Sequence, residues 1–160
     1  MEDVVVSAAS QVGAVLQSYA ERGVFKDYRA SSGRNEVAHF DFGWLYGQPF
    51  SLSCDAGRQR LTLSDLLPAV KADSMMYAEL KEFLKGRAGL DVPEHRRIDP
   101  ARATVTPRLR DGVVSLELTL ADGDYEYGTR KLVNLAHETF LFLSEYWADY
   151  MWENFELNME

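Results

Sequence analysis

The side chains best suited to metal chemistry lie in the last quarter of the chain. His137-Glu138 begins like the helical zinc motif HExxH, in which two histidines four residues apart share one helix face. Leu141 stands where the second histidine would have to be. The pattern therefore favours a histidine at a helix surface or boundary, and we predict no metal site here.

A group of acidic residues just before this helix has part of a calcium-loop pattern. Asp122, Asp124 and Glu126 occupy positions one, three and five of such a loop. Position six, which needs glycine for a sharp turn, is Tyr127, and position twelve, which needs glutamate, is Val133. The spacing predicts a solvated turn before a helix, and no metal or other cofactor.

The single cysteine is the only thiol available for nucleophilic catalysis. Cys54 alternates in phase with Phe50, which indicates a small buried apolar residue on a strand and not a reactive thiolate. His39 and Asp41 lie on a neighbouring strand pattern, so an unfamiliar enzyme site around these side chains stays an alternative. The chain has no glycine-rich phosphate loop and no GxSxG elbow.

Five arginines make the one local basic cluster, and two prolines lie nearby. They can form a docking loop for an acidic segment, or pair with acids of the same chain. The arginines are Arg96, Arg97, Arg102, Arg108 and Arg110.

Composition narrows the possible functions. The chain has 160 residues and a net charge of −8, which favours one domain over residues 1–160 and argues against nucleic-acid and anionic-membrane binding. One cysteine allows no internal disulfide, which favours the cytoplasm. No apolar run is long enough to span a membrane.

Periodicity predicts an α+β domain with the order helix, three strands, helix, two strands, helix, in which helices pack on an antiparallel sheet. Residues 26–35 read as a polar loop, and residues 65–68 read as a break after the third strand. The expected helices are Val4–Glu21, a second from Asp73 or Ser74 to Gly86 or Gly89, and Thr129–Phe155. The expected strands are Ala38–Trp44, Phe50–Asp55, Arg60–Ser64, Ala103–Leu109 and Val114–Leu120.

Apolar side chains outnumber what one small core needs. In the last helix Phe142, Tyr146 and Trp152 flank the main apolar stripe and widen it. Elsewhere apolar residues crowd a strand end, a connection and a helix start, and such a surplus is typical of a protein-binding surface. The residues that we expect to contact a partner are Phe42, Trp44, Leu66, Leu67, Met75 and Met76.

The element order, small size, acidity and long amphipathic last helix resemble the type III secretion chaperone-like fold, which includes the YbjN-like bacterial proteins. The resemblance covers residues 4–155 and rests on element order. It implies a homodimer that binds an extended or partly unfolded protein segment on its sheet and helix surfaces.

The sequence thus favours a non-enzymatic, chaperone-like or adaptor homodimer of the bacterial cytoplasm, with a protein partner. An acidic inhibitor or immunity-type protein that masks a basic partner is the first alternative, because the chain is strongly acidic. An enzyme with an unfamiliar site is the second alternative.

Overall fold

The computed structural model describes residues 2–32 and 37–155, and it confirms the predicted α+β class. Within these residues, four α-helices and six antiparallel strands follow one another. The elements are α1 (Glu2–Glu21), β1 (Lys26–Ser32), β2 (Val37–Trp44), β3 (Gln48–Asp55), β4 (Arg60–Leu67), α2 (Met75–Gly86), β5 (Ala103–Arg110), β6 (Val113–Leu120), α3 (Tyr125–Tyr146) and α4 (Ala148–Phe155).

The sheet has the order β1-β2-β3-β4-β6-β5, and every neighbouring pair is antiparallel. One row of paired residues, Phe40, Leu52, Leu63 and Leu116, crosses four strands and is buried throughout. The next row on the opposite face is His39, Ser53, Thr62 and Glu117. Because only one face is apolar, the helices cover that face and the other face meets water.

A hairpin turn, a helix cap and an edge proline lie where the sequence predicts them. Asp111 and Gly112 both have positive φ, 52° and 80°, which is the geometry of a two-residue hairpin turn. Ser74 caps α2, since its hydroxyl oxygen accepts a hydrogen bond from the Tyr77 amide at 3.2 Å. Pro107 lies in β5, at one edge of the sheet, as its missing N–H requires.

Two predicted connections are strand instead. Lys26–Ser32 forms the edge strand β1, where a polar loop was expected, and residues 33–35 of that expected loop lie outside the described residues. Residues 65–67 continue β4, although a break was expected there. The ladder shifts register between Leu63 and Leu67, and Asp65 has a φ of 53°. Because of this bulge, apolar and polar residues stop alternating after Leu63, so the sequence pattern did not predict that the strand continues.

The predicted last helix is two helices. It starts earlier, at Tyr125, and Trp147 interrupts it with φ −135° and ψ 50°. The rings of Phe140 and Phe155 lie 5.1 Å apart, whereas fifteen residues of straight helix would separate them by about 22 Å. The break at Trp147 therefore turns α4 back onto the core.

Candidate functional site

The six residues expected to contact a partner are not one exposed surface. Only Met75 is well exposed, at 71%. Phe42 is buried between the rings of Phe25 and Phe50, at centroid distances of 4.1 and 5.9 Å. Trp44 is half-buried and lies 5.3 Å from the Phe50 ring. Both belong to an aromatic cluster on the covered face of the sheet.

The other three expected contacts are buried as well, so their expected exposure is corrected. Leu66 and Leu67 are 5% and 0% exposed, because the bulge in β4 turns two consecutive side chains into the core. Met76 is 6% exposed and faces the core, while its neighbour Met75, about 100° further round the helix, is 71% exposed.

The residues of the alternative enzyme site do not converge. Cys54 lies on the covered face and is 1% exposed, and its burial raises its pKa to about 11, so the sulfur is a neutral thiol at physiological pH. His39 and Asp41 lie on the open face of the neighbouring strand. Within residues 2–32 and 37–155, no group of three or more His, Cys, Asp or Glu side chains is arranged to hold a metal ion.

The acidic turn before α3 has a structural role instead of a calcium loop. Asp124 caps the helix by accepting the Tyr127 amide at 3.0 Å. Asp122 and Asp124 together hold the guanidinium of Arg102 at 2.9 and 2.6 Å. The Arg102 group also lies 3.8 Å from the centre of the Tyr127 ring. The cluster joins β5 to the start of α3.

The surplus of apolar side chains appears in a groove between α2 and α3, which we call the α2–α3 groove. Its volume is about 500 Å³. It is lined by Glu79, Phe83, Arg87, Arg96, Glu138, Leu141, Phe142, Glu145 and Tyr146. Of these, the sequence pattern had singled out Phe142 and Tyr146 as flanking residues, and Arg96 as part of the basic cluster.

The two walls of the groove run antiparallel. Arg87 near the end of α2 contacts Glu138, and Phe83, one turn earlier, stacks on Phe142 with centroids 4.5 Å apart. The ring of Tyr146 continues the stack at 5.3 Å from Phe142. Aromatic side chains spaced three to four residues apart on facing helices thus make a continuous apolar strip.

The strip is partly open to solvent, mainly at Leu141 and at its Tyr146 end. Leu141 is 51% exposed and Tyr146 is 62% exposed, while Phe83 and Phe142 are half-buried. Soluble proteins leave single apolar side chains exposed at many positions, but a contiguous aromatic patch in a concave surface is characteristic of a binding site.

A buried ion pair closes one end of the groove. Glu138 is only 8% exposed, and its Oε2 accepts a hydrogen bond from Nη1 of Arg87. Its Oε1 lies 3.8 Å from Nε of Arg96 and has no hydrogen-bond partner, and Nε of Arg87 has none either. Two guanidinium groups therefore share one carboxylate. This end of the groove carries one positive charge that the carboxylate does not neutralise.

The opposite end of the groove is acidic. Glu79 and Glu145 lie at the end where Tyr146 is exposed, and within the described part of the chain neither forms an ion pair.

Among the described helices, none is long and apolar enough to cross a membrane. Comparison with protein-family models, with curated proteins and with solved structures finds no match for this chain.

Proposed function

We propose that this protein is a non-enzymatic, chaperone-like or adaptor protein that binds a segment of another protein in its α2–α3 groove. The observation that carries the proposal is the strip of Phe83, Leu141, Phe142 and Tyr146, which is concave, aromatic and partly open to water. Burial of such a strip by a partner removes apolar area from water, which is the main favourable term in protein association.

The shape of the site supports a peptide as the ligand. Two antiparallel helices form a trough between them, and a trough between helices suits a chain segment that lays its apolar side chains along it. Aromatic residues are enriched at the energetic centres of protein interfaces, because they bury a large area at low conformational cost. Phe83 and Phe142 occupy that central position here.

One observation favours the alternative that this is an acidic inhibitor or immunity-type protein. Glu79 and Glu145 form no ion pair in the described residues, and the whole chain carries a net charge of −8. A partner that is basic overall would associate faster at low salt, because complementary charge steers diffusion. An inhibitor or immunity-type protein therefore predicts a steep salt dependence, whereas groove binding through aromatic contacts predicts a shallow one.

We also propose that the protein is a homodimer, with the partner segment bound to each copy. In the part of the chain that the structure describes, strand β1 lies at an edge of the sheet and pairs with β2 alone, so its outer side offers a place where a second copy can add a strand. Such pairing leaves the α2–α3 groove open. Sedimentation equilibrium measures it: a monomer over the whole accessible concentration range would contradict this part of the proposal.

Selection of binders from a random peptide library tests the groove. The variant Tyr146→Glu places a charge on the aromatic strip, and Tyr46→Glu is the matched control, because both tyrosines are 62% exposed and Tyr46 lies at the β2–β3 turn, outside the groove. We expect peptides selected on the wild-type protein to lose binding to Tyr146→Glu and keep it to Tyr46→Glu. Peptides that bind both variants equally well would overturn the proposal.

A further inference from the structure

The charges along the α2–α3 groove are ordered, and the order describes the segment that fits it. On α3, Lys131, Glu138 and Glu145 recur every seven residues, so they lie along nearly the same side of the helix. A helix rises 1.5 Å per residue, so successive members are about 10 Å apart. The acidic end at Glu145 and the ion-pair end at Glu138 are thus separated by two helical turns.

The ion-pair end carries excess positive charge. Arg87 and Arg96 share the single carboxylate of Glu138, and the side chain of Arg96 is 46% exposed beside the groove. A half-exposed guanidinium keeps free donors for a planar anion such as a carboxylate. This end of the groove is therefore suited to an acidic side chain of the occupant.

Beyond Arg96 lies a second pocket of about 890 Å³, which is lined by charges of both signs. Arg97 and Lys131 line it, and both donate to main-chain carbonyl oxygens, Arg97 to Val92 and Lys131 to His95 at 3.0 Å. Carbonyl oxygens orient these cations but do not neutralise them. Burial lowers the pKa of Lys131, although the nearby charges of Glu138 and Glu94 act in the opposite direction.

This pocket is not uniformly basic. Glu94 and Asp99 also line it, and the charge of Arg102 is neutralised by the aspartates of the turn before α3. Glu94 and Asp99 match the charges of Arg97 and Lys131, so the excess positive charge lies at the ion-pair end alone, and the balance at Glu79 and Glu145 is negative. The strip of Phe83 and Phe142 lies between the two.

Resting on the groove proposed above, we propose that its occupant is a protein segment in which an aromatic or long aliphatic anchor separates acidic from basic residues. The acidic side lies against Arg96 at the ion-pair end, the anchor lies on Phe83 and Phe142, and the basic side lies against Glu79 and Glu145. In an extended segment, a separation of about 10 Å corresponds to roughly three residues.

Three synthetic peptides test the charge order. All carry fluorescein and the same tryptophan anchor with charged residues about three positions apart, and the charged flanks are acid and base, acid and acid, or base and base. Fluorescence anisotropy at about 50 mM NaCl reports the affinity. We expect the wild-type protein to bind the acid–base peptide about tenfold tighter than the other two, since each of them places a like charge at one end of the groove.

Charge reversal in the protein makes the test specific. The double variant Glu79→Lys/Glu145→Lys makes both ends positive and should then prefer the acid–acid peptide, whereas Arg96→Glu should shift the preference toward the base–base peptide. The same reversal at an exposed lysine outside the groove, Lys71→Glu, should leave the wild-type order unchanged. Reversed preferences support the inference.

Failure of the inference and failure of the groove itself give different results. Equal affinity for all three peptides, with binding still lost in Tyr146→Glu, would overturn the charge order and leave groove binding intact. Binding that survives both Tyr146→Glu and replacement of the tryptophan anchor by alanine would overturn the groove. Absence of binding of every peptide to the wild-type protein would count against both.

Discussion

Gly128 lies where α3 packs directly on leucines of the sheet, and replacing it with alanine tests how closely the helix that carries the groove packs there. A methyl group on Gly128 would lie 2.8 Å from Cδ2 of Leu120, and 3.2 Å from side-chain carbons of Leu118 and Leu61. All three leucines are buried, at 3% exposure or less. The new methyl group therefore has no free space to enter.

Two opposing effects set the size of the change. Inserting a methyl group into a packed core costs about 1–3 kcal/mol, because side chains or backbone must shift. Alanine in place of glycine inside a helix gains about 1 kcal/mol of helix propensity. Since three buried leucines would have to move together, we expect the crowding to dominate and Gly128→Ala to destabilise the protein by about 1–2 kcal/mol.

Urea unfolding followed by far-ultraviolet circular dichroism measures the free energy of unfolding. The matched control is Gly86→Ala at the end of α2, where an added Cβ meets no atom within 4 Å. That variant should be neutral or more stable by up to about 1 kcal/mol. If Gly128→Ala is as stable as the wild-type protein, α3 does not pack against the sheet as closely as described.

Three further outcomes follow from buried or paired groups. Replacing Glu138 by alanine leaves a guanidinium without its carboxylate and should cost about 1–3 kcal/mol in urea unfolding, the value for a partly solvated pair, while Glu145→Ala should change stability by less than about 0.5 kcal/mol. Cys54, with its pKa raised to about 11 by burial, should react with a thiol reagent at neutral pH only when the protein unfolds, and rapid labelling of the native protein would contradict its position. The hydrogen bond from Arg102 holds the pKa of Asp122 below its ordinary value of 3.8. The ionised Asp122 carboxylate therefore stabilises the folded protein at pH values above 3.8, and this stabilisation is lost as the pH falls through the lower pKa of the folded state. Acid titrations of stability should therefore be flatter for Asp122→Asn than for wild type, and parallel curves would refute the pairing.

The elements with a regular pattern were predictable because each pattern has one physical cause. Strands β2, β3 and β6 alternate apolar and polar residues, since one face of the sheet is covered and the other is wet. The hairpin at Asp111-Gly112 was predictable because few residues tolerate two positive φ angles in a row.

Strand β1 and the end of β4 were not predictable in this way. Most side chains of β1 are exposed because it is an edge strand, so its sequence, KDYRASS, carries no alternation. In β4 the left-handed backbone of Asp65 shifts the ladder, and the two leucines after it break the period of two. Backbone geometry makes both segments strands, and the amino-acid sequence alone does not reveal that geometry.

The candidate site was likewise predictable only in part. The widened apolar surface of the last helix did indicate Phe142 and Tyr146, which line the groove. The facing wall at Phe83 and the ion pair of Arg87 with Glu138 were missed, because they depend on α2 lying antiparallel to α3. Residue pairs 51 and 59 positions apart carry no local signal that would bring them together.

The two-layer arrangement gives the molecule two outer surfaces that face in opposite directions. The groove lies on the outside of the helices, and the hydroxyl-rich face of the strands lies on the far side of the core. Substitutions more than about 10 Å apart with no shared neighbours act additively on stability. Serine and threonine positions on the bare strand face can therefore drift during evolution, or be engineered as attachment points, without altering what the helical side recognises.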